Sequence, residues 1–345
     1  MTTSYRASTA LLDLAALQAH LSTTMLPGEI LLASNPQAGP TVAFTRGIPA
    51  STTQGAAALL SERDLTRALL RDAGHDVPEC AVFLLRSDRS AALAWAEEAG
   101  YPVTATPVWT VQASRQVTDP DSLVARIDAL AQLTGRRSPG PNHPRARYLV
   151  EKIPAERSIE LSIAHEEVIA RLVDDQPAAA GDVHPDLEEL GRRVIRDVPG
   201  LSVGRVWLAL DDPTHPQGGR TCQVVDVSSR ITFTGLQPEG AAAHAAARLL
   251  QLEAAAQGLH WHDRSPSLTA MLTIGGVALP ERAAEQVGRY CADTVPALSV
   301  ESDSASEIVV SSPDDAESLA ILQRSLIQGR IPGVRPLYVS VDWRS

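Results

Sequence analysis

The stretch Val224-Val225-Asp226-Val227-Ser228-Ser229-Arg230 sets an acid, a hydroxyl and a guanidinium at alternate positions. A carboxylate is a hard oxygen donor for a divalent cation, and a guanidinium grips a carboxylate or phosphate with two parallel hydrogen bonds. About seventy-five residues upstream, Leu149-Val150-Glu151-Lys152-Ile153 reads as an apolar strand carrying an acid and a base near its end. Asp211-Asp212-Pro213 offers either a metal-binding pair or a strand-ending turn. Ser228 and Ser229 have the chemistry of a nucleophile, but no histidine is placed by sequence to activate them. His260-Trp261-His262-Asp263 puts two imidazoles on one side of an extended segment. No third ligand stands nearby in sequence, so a linker is the simpler reading. Gln217-Gly218-Gly219-Arg220 reads as a hairpin turn in preference to a phosphate cradle. Lys152 is the only lysine, which excludes any mechanism needing a second one.

Composition bounds what these residues can serve. A chain of 345 residues is long enough for two or three compact units. Its net charge of −11 argues against nucleic acid or an anionic membrane as the main partner. The three cysteines, Cys80, Cys222 and Cys291, are far apart, which suits reduced thiols in a cytoplasm. No apolar run approaches the roughly 20 residues of a membrane span.

The elements that must position the site alternate between strand and helix. Residues 10–21 predict a helix, and 29–32 and 41–44 short strands. A helix from Ser61 through Arg71, a strand at 81–85 and a helix ending at Gly100 follow. Further on, the pattern predicts strands at 148–152 and 159–164, joined as a hairpin through Pro154-Ala155-Glu156, and a third at 168–172. A helix over 185–197, strands at 204–210 and 221–227, and a long Ala-rich helix over 240–257 complete the middle of the chain. From Thr269 the order is strand, helix, strand, strand, helix, strand, a ferredoxin-like βαββαβ arrangement.

Several ordered segments resemble the ATP-grasp superfamily of carboxylate–amine ligases. Arg63 to Leu70 with Ala73-Gly74-His75-Asp76-Val77-Pro78 resembles its opening helix and exit. Ala96-Glu97-Glu98-Ala99-Gly100-Tyr101-Pro102-Val103 resembles its run into the lysine strand. Tyr148 to Ala164 resembles the adenine hinge and the strand after it, and Leu201 to Arg230 the paired metal-binding strands. Pro238-Glu239-Gly240 resembles the start of a closing helix. The resemblance covers roughly residues 60–255. It implies an α/β, two-lobed fold with ATP held between sheets, preceded by a short N-terminal α/β segment (1–58). The ATP-grasp-like domain would span 59–263 and the ferredoxin-like unit 264–345. By the same resemblance Glu151, Lys152 and Ile153 carry adenine recognition. Arg63 stands at a phosphate-binding lysine, Asp226 where a glutamate ligates magnesium, and Arg230 where an arginine meets the substrate carboxylate or transition-state phosphate. Asp211, a few residues past the first metal position, is the other candidate metal ligand.

The departures from the family pattern fall on phosphate and metal contacts. Thr106 stands at the second lysine, and Val108-Trp109-Thr110-Val111-Gln112-Ala113-Ser114-Arg115 holds no glycine where a glycine-rich loop belongs. Trp207 stands at the first metal acid and Ser228 at the metal-binding asparagine. A charge-assisted hydrogen bond contributes about 1.5–3 kcal/mol, so losing the Thr106 cation and the loop amides costs on the order of 10²–10⁴ in phosphate binding or turnover. Two readings follow. In the first the chain is a diverged, pseudoenzymatic member that binds a small molecule or an active partner, with no cofactor. In the second it is a working amino-acid or peptide ligase with ATP and magnesium in an atypical site. A homodimer built on the C-terminal unit is open in both.

Overall fold

Strands from the two ends of the chain share one sheet, with Thr23, Thr24 and Met25 opposite Val341, Ser340 and Val339. The structure is a computed structural model that describes residues 2–35, 39–109, 116–133, 143, 146–153, 157–216, 222–233, 236, 239–259, 269–301, 307–313 and 315–344. The chain opens with helix α1 (Thr2–Gln18) and strands β1 (Ser22–Leu26), β2 (Ile30–Ser34), β3 (Thr41–Thr45) and β4 (Ile48–Pro49). Next come α2 (Gln54–Leu59), α3 (Arg63–Asp72), β5 (Cys80–Leu84), α4 (Arg89–Ala99), β6 (Val103–Pro107), β7 (Gln116–Val117) and α5 (Pro120–Leu133). Then follow β8 (Arg147–Lys152), β9 (Arg157–Ala164), β10 (Glu167–Val173), β11 (Gln176–Pro177), α6 (Pro185–Asp197), β12 (Val203–Leu210) and β13 (Cys222–Ser228). The last part holds α7 (Glu239–Ala256), β14 (Thr269–Gly275), α8 (Pro280–Thr294), β15 (Ser299–Glu301), β16 (Glu307–Pro313), α9 (Ala316–Ile327) and β17 (Tyr338–Arg344).

Contacts divide the chain into two units, one of residues 1–51 with 230–345 and the other of 52–229. In the first, eight antiparallel strands run in the order β15-β16-β14-β17-β1-β2-β3-β4. The expected βαββαβ element order is present over 269–344, and the N-terminal strands extend its sheet from β17. The division expected at residues 58 and 263 does not follow these contacts. The first 51 residues and α7 both join the C-terminal unit, a pairing over some three hundred residues that no local pattern encodes. The core lies between the sheet and the helices α8 and α9, with Leu272, Ile274, Val287, Leu322 and Val341 fully buried.

The second unit holds two sheets. A four-stranded one runs β5-β8-β6-β7, and a five-stranded one β11-β10-β9-β12-β13. Strands β8 and β9, expected as a hairpin, lie in different sheets. Tyr148 and Val150 of β8 pack with Ala92, Leu123 and Ile127 of α4 and α5. Leu161 and Ile163 of β9 pack with Leu187 and Val194 of α6. Each strand thus follows its own helical layer. The tight connection lies instead between β9 and β10, where His165 and Glu166 take φ values of 46° and 69°. Both in the left-handed region, they match the turn whose twist suits antiparallel strands.

Candidate functional site

Alternation along β8 sends Tyr148 and Val150 to the helical layer, which leaves Leu149 and Glu151 on the other face. Thr106 pairs with Leu149, and Thr104 and Cys80 with Glu151, so these residues share that face. In the five-stranded sheet, Leu161, Val206 and Val227 face the core. The opposite face carries a polar row, because Trp207 of β12 lies across from Glu160 on β9 and from Asp226 on β13. The next row is Ser162, Arg205 and Ser228. A bulge at the Trp207/Leu208 step shifts the phase of β13. Val224 and Val227 therefore both enter the core while Asp226 turns to the polar face.

Helix α3 supplies the cations. Arg63 and Arg67 are four residues apart, one turn above each other on the same side. The Arg67 guanidinium donates from Nε to Glu151 Oε1 at 2.8 Å, and its Nη2 lies 2.8 Å from the same oxygen. Arg67 is 2% exposed and Glu151 4%, so this pair is withdrawn from water. Arg63 Nη2 lies 3.7 Å from Glu151 Oε2 and 3.9 Å from Asp226 Oδ2. Its Nη1 donates to the Thr106 hydroxyl at 3.4 Å. The start of α3 is held by the Arg63 amide, which donates to the Val108 carbonyl at 2.8 Å. Beside it, Arg147 of β8 pairs with Glu62 at 3.0 Å and with Asp64 at 2.5 Å. At the other end of α3, His75 Nε2 meets Asp197 Oδ2 at 2.8 Å, tying this turn to the last residue of α6. Within the network, the Arg63 Nε and Arg67 Nη1 donors are buried without a hydrogen-bond partner.

On the polar face of the five-stranded sheet, the Arg205 guanidinium stands 4.5 Å from the centre of the Trp207 ring and donates to Glu160 at 3.0 Å. The indole thus occupies the middle of the row between two carboxylates.

Of the residues singled out by sequence, the structure brings together Arg63, Glu151 and Asp226. Lys152 points elsewhere, with its Nζ 2.7 Å from Glu79 Oε2 in a half-exposed pair. Ile153 is exposed just past the end of β8. Asp211 is exposed beyond β12. Its neighbour Asp212 accepts from the Thr214 amide at 2.9 Å and hydroxyl at 2.8 Å, a strand-ending turn. Those bonds hold the Asp212 carboxyl below its usual range. Arg230 belongs to the other unit. Most of the glycine-free loop (110–115), the turn 217–220, Pro238 and residues 260–263 lie outside the described residues. Among the described residues, no group of three or more His, Cys, Asp and Glu side chains is gathered to hold a metal ion. Sequence reasoning passed over Arg67 and Arg147. The i, i+4 spacing of Arg63 and Arg67 was the signal for the first.

No family model matches the sequence, and no curated protein matches it. Solved structures similar to this chain are ATP-grasp proteins. A RimK-domain ATP-grasp protein from Sphaerobacter thermophilus is 24% identical, covering 56% of this chain and 69% of that one at a TM-score of 0.44. D-alanine–D-alanine ligase from Bacillus anthracis is 12% identical, covering 60% and 71% at 0.46. The ATP-grasp ligase PsnB, solved with a precursor peptide and AMPPNP, is 17% identical, covering 57% and 59% at 0.41. No helix among the described residues is long and apolar enough to cross a membrane.

Proposed function

We propose that this chain is a diverged ATP-grasp-type protein whose 52–229 unit keeps a two-sheet ligase scaffold without ordinary magnesium-ATP ligation. It would act by binding a small carboxylate or amine, or a partner protein. The observation that carries this reading is the closure of Arg63 onto both Glu151 and Asp226. A triphosphate site presents free cations to the phosphates and free carboxylates to the metal. Here Arg63 and Arg67 together neutralise both carboxylates, and Trp207 stands across from Asp226. Residues so arranged do not fit a magnesium triphosphate.

The second reading, an active amino-acid or peptide ligase, draws on Arg63 Nε and Arg67 Nη1, buried donors without hydrogen-bond partners that an anion would satisfy. Titration of the purified chain with ATP and magnesium, followed by calorimetry, separates the two. The diverged reading expects no saturation at millimolar ATP. Saturable binding that strengthens with magnesium favours the ligase.

A further inference from the structure

Asp13 lies in the middle of α1 with none of its surface exposed, and neither carboxylate oxygen has a hydrogen-bond partner. The surrounding interior is built from α7, α9, β1 and β2, all packed on α1. Strands β1 and β2 bring no titratable side chain. From α7 the buried group is Glu253, which accepts from the Ser51 hydroxyl at 2.7 Å. The other ionisable groups described on α7 are His244, which is exposed, and Arg248, which donates to Gln251 at 2.6 Å. From α9 come Glu317, which is exposed, and Arg324, whose charge burial and Arg330 disfavour. Just past α1, His20 packs edge-on against Trp343 at 4.6 Å. None of these reaches Asp13 with a counter-charge. The one polar group that favours its charged form is the Thr23 hydroxyl. That hydroxyl is itself engaged by Gln323, whose Nε2 also donates to the Val339 carbonyl at 3.2 Å.

An ionised carboxylate sealed from water, with no counter-charge and only the Thr23 hydroxyl to favour it, costs far more than protonating it. We propose that Asp13 makes α1 a proton-dependent latch in the 1–51/230–345 unit, docking as the neutral acid and loosening as pH rises. Burial pushes the Asp13 carboxyl up to about 8, whereas an unfolded aspartate ionises near ~3.9. Its folded value is therefore the raised one. Below about pH 4 both states carry the proton and docking is strongest. Between about 4 and 8 the released helix gains by ionising, so docking weakens with rising pH. Above about 8 the loss is complete.

The test follows hydrogen exchange of the α1 amides in the full chain from pH 5 to 8.5, each rate divided by its intrinsic chemical rate, in wild type and Asp13→Asn. The wild-type opening constant should rise about tenfold per pH unit more steeply than that of Asp13→Asn. The variant should also open less at pH 8. Parallel slopes would overturn the latch. Should the variant fail to fold, wild type alone decides, because a pH-independent α1 opening constant also rules the latch out. Nucleotide binding enters neither arm, so the result stands apart from the proposed function.

Discussion

Arg63 lies 3.7 Å from Glu151 and 3.9 Å from Asp226, so one guanidinium joins a carboxylate of each sheet in the 52–229 unit. The two acids sit on strands β8 and β13, and α3 carries the cation between them. With Arg67 added, the cluster holds two guanidinium groups against two carboxylates. The balance explains how so much charge is tolerated at so little exposure. It also links the two sheets of this unit through ion pairs.

Arg67 bears most of that structural role. Its contacts with Glu151 are short and nearly dry, whereas those of Arg63 are longer and partly wet. Removing one partner of a buried pair leaves an uncompensated charge and typically costs about 3–5 kcal/mol. Arg67→Met should therefore lower the stability of this unit by about that amount in urea unfolding. Adding Glu151→Gln should recover a large part of it, since the orphaned charge disappears. Strictly additive losses in the double variant would mean that the pair is not coupled.

Much of this cluster was legible residue by residue. Glu151 and Asp226 stood out by type and spacing, Arg63 through the family resemblance, and helix start and stop signals placed α3. What the pattern could not carry was partner choice. Glu151 was expected to carry adenine recognition, and nothing in its strand pattern announced that its side chain pairs with Arg67. A helix with a polar face normally turns that face to water, and nothing local announces that Arg63, Asp64 and Arg67 are buried. The pairing of β1 with β17 was invisible for a different reason. Each strand shows the same alternation whichever neighbour it meets, so alternation reports a buried face and not a partner.

Glycine positions separate conformational from steric demands in the 1–51/230–345 unit. Gly28 has φ +91° with open space where a methyl would stand, so Gly28→Ala meets only the left-handed backbone penalty of about 1–2 kcal/mol. Gly47 has φ +76°, and a Cβ there would stand 2.5 Å from the Ile231 carbonyl oxygen. The Ile231 amide donates back to the Gly47 carbonyl at 3.1 Å, so neither backbone can move freely. Overpacking adds about 1–3 kcal/mol. Gly47→Ala should thus be clearly the more destabilising of the two in urea unfolding. Equal losses would show that the close approach of residues 47 and 231 relaxes at no cost.

Thiol chemistry gives a last prediction. Burial pushes Cys222 up to about 11, with the Asp76 charge adding to it. Burial does the same for Cys291, also up to about 11. Cys80 is raised by burial and by Glu151, against the opposing pull of Arg71, whose Nη2 contacts its sulfur at 3.6 Å. The thiolate is the reacting species, and a thiol titrating near 11 is roughly one part in a thousand ionised at pH 8. Native protein at pH 8 should therefore take up iodoacetamide at Cys222 and Cys291 far more slowly than a free cysteine does. Cys291, only 2% exposed, is the more shielded of those two. Denaturant should bring all three to the free rate. Peptide mass spectrometry over a time course reads each site separately. Rapid native alkylation at Cys222 would place its thiol in a far wetter or more positive setting than β13 provides.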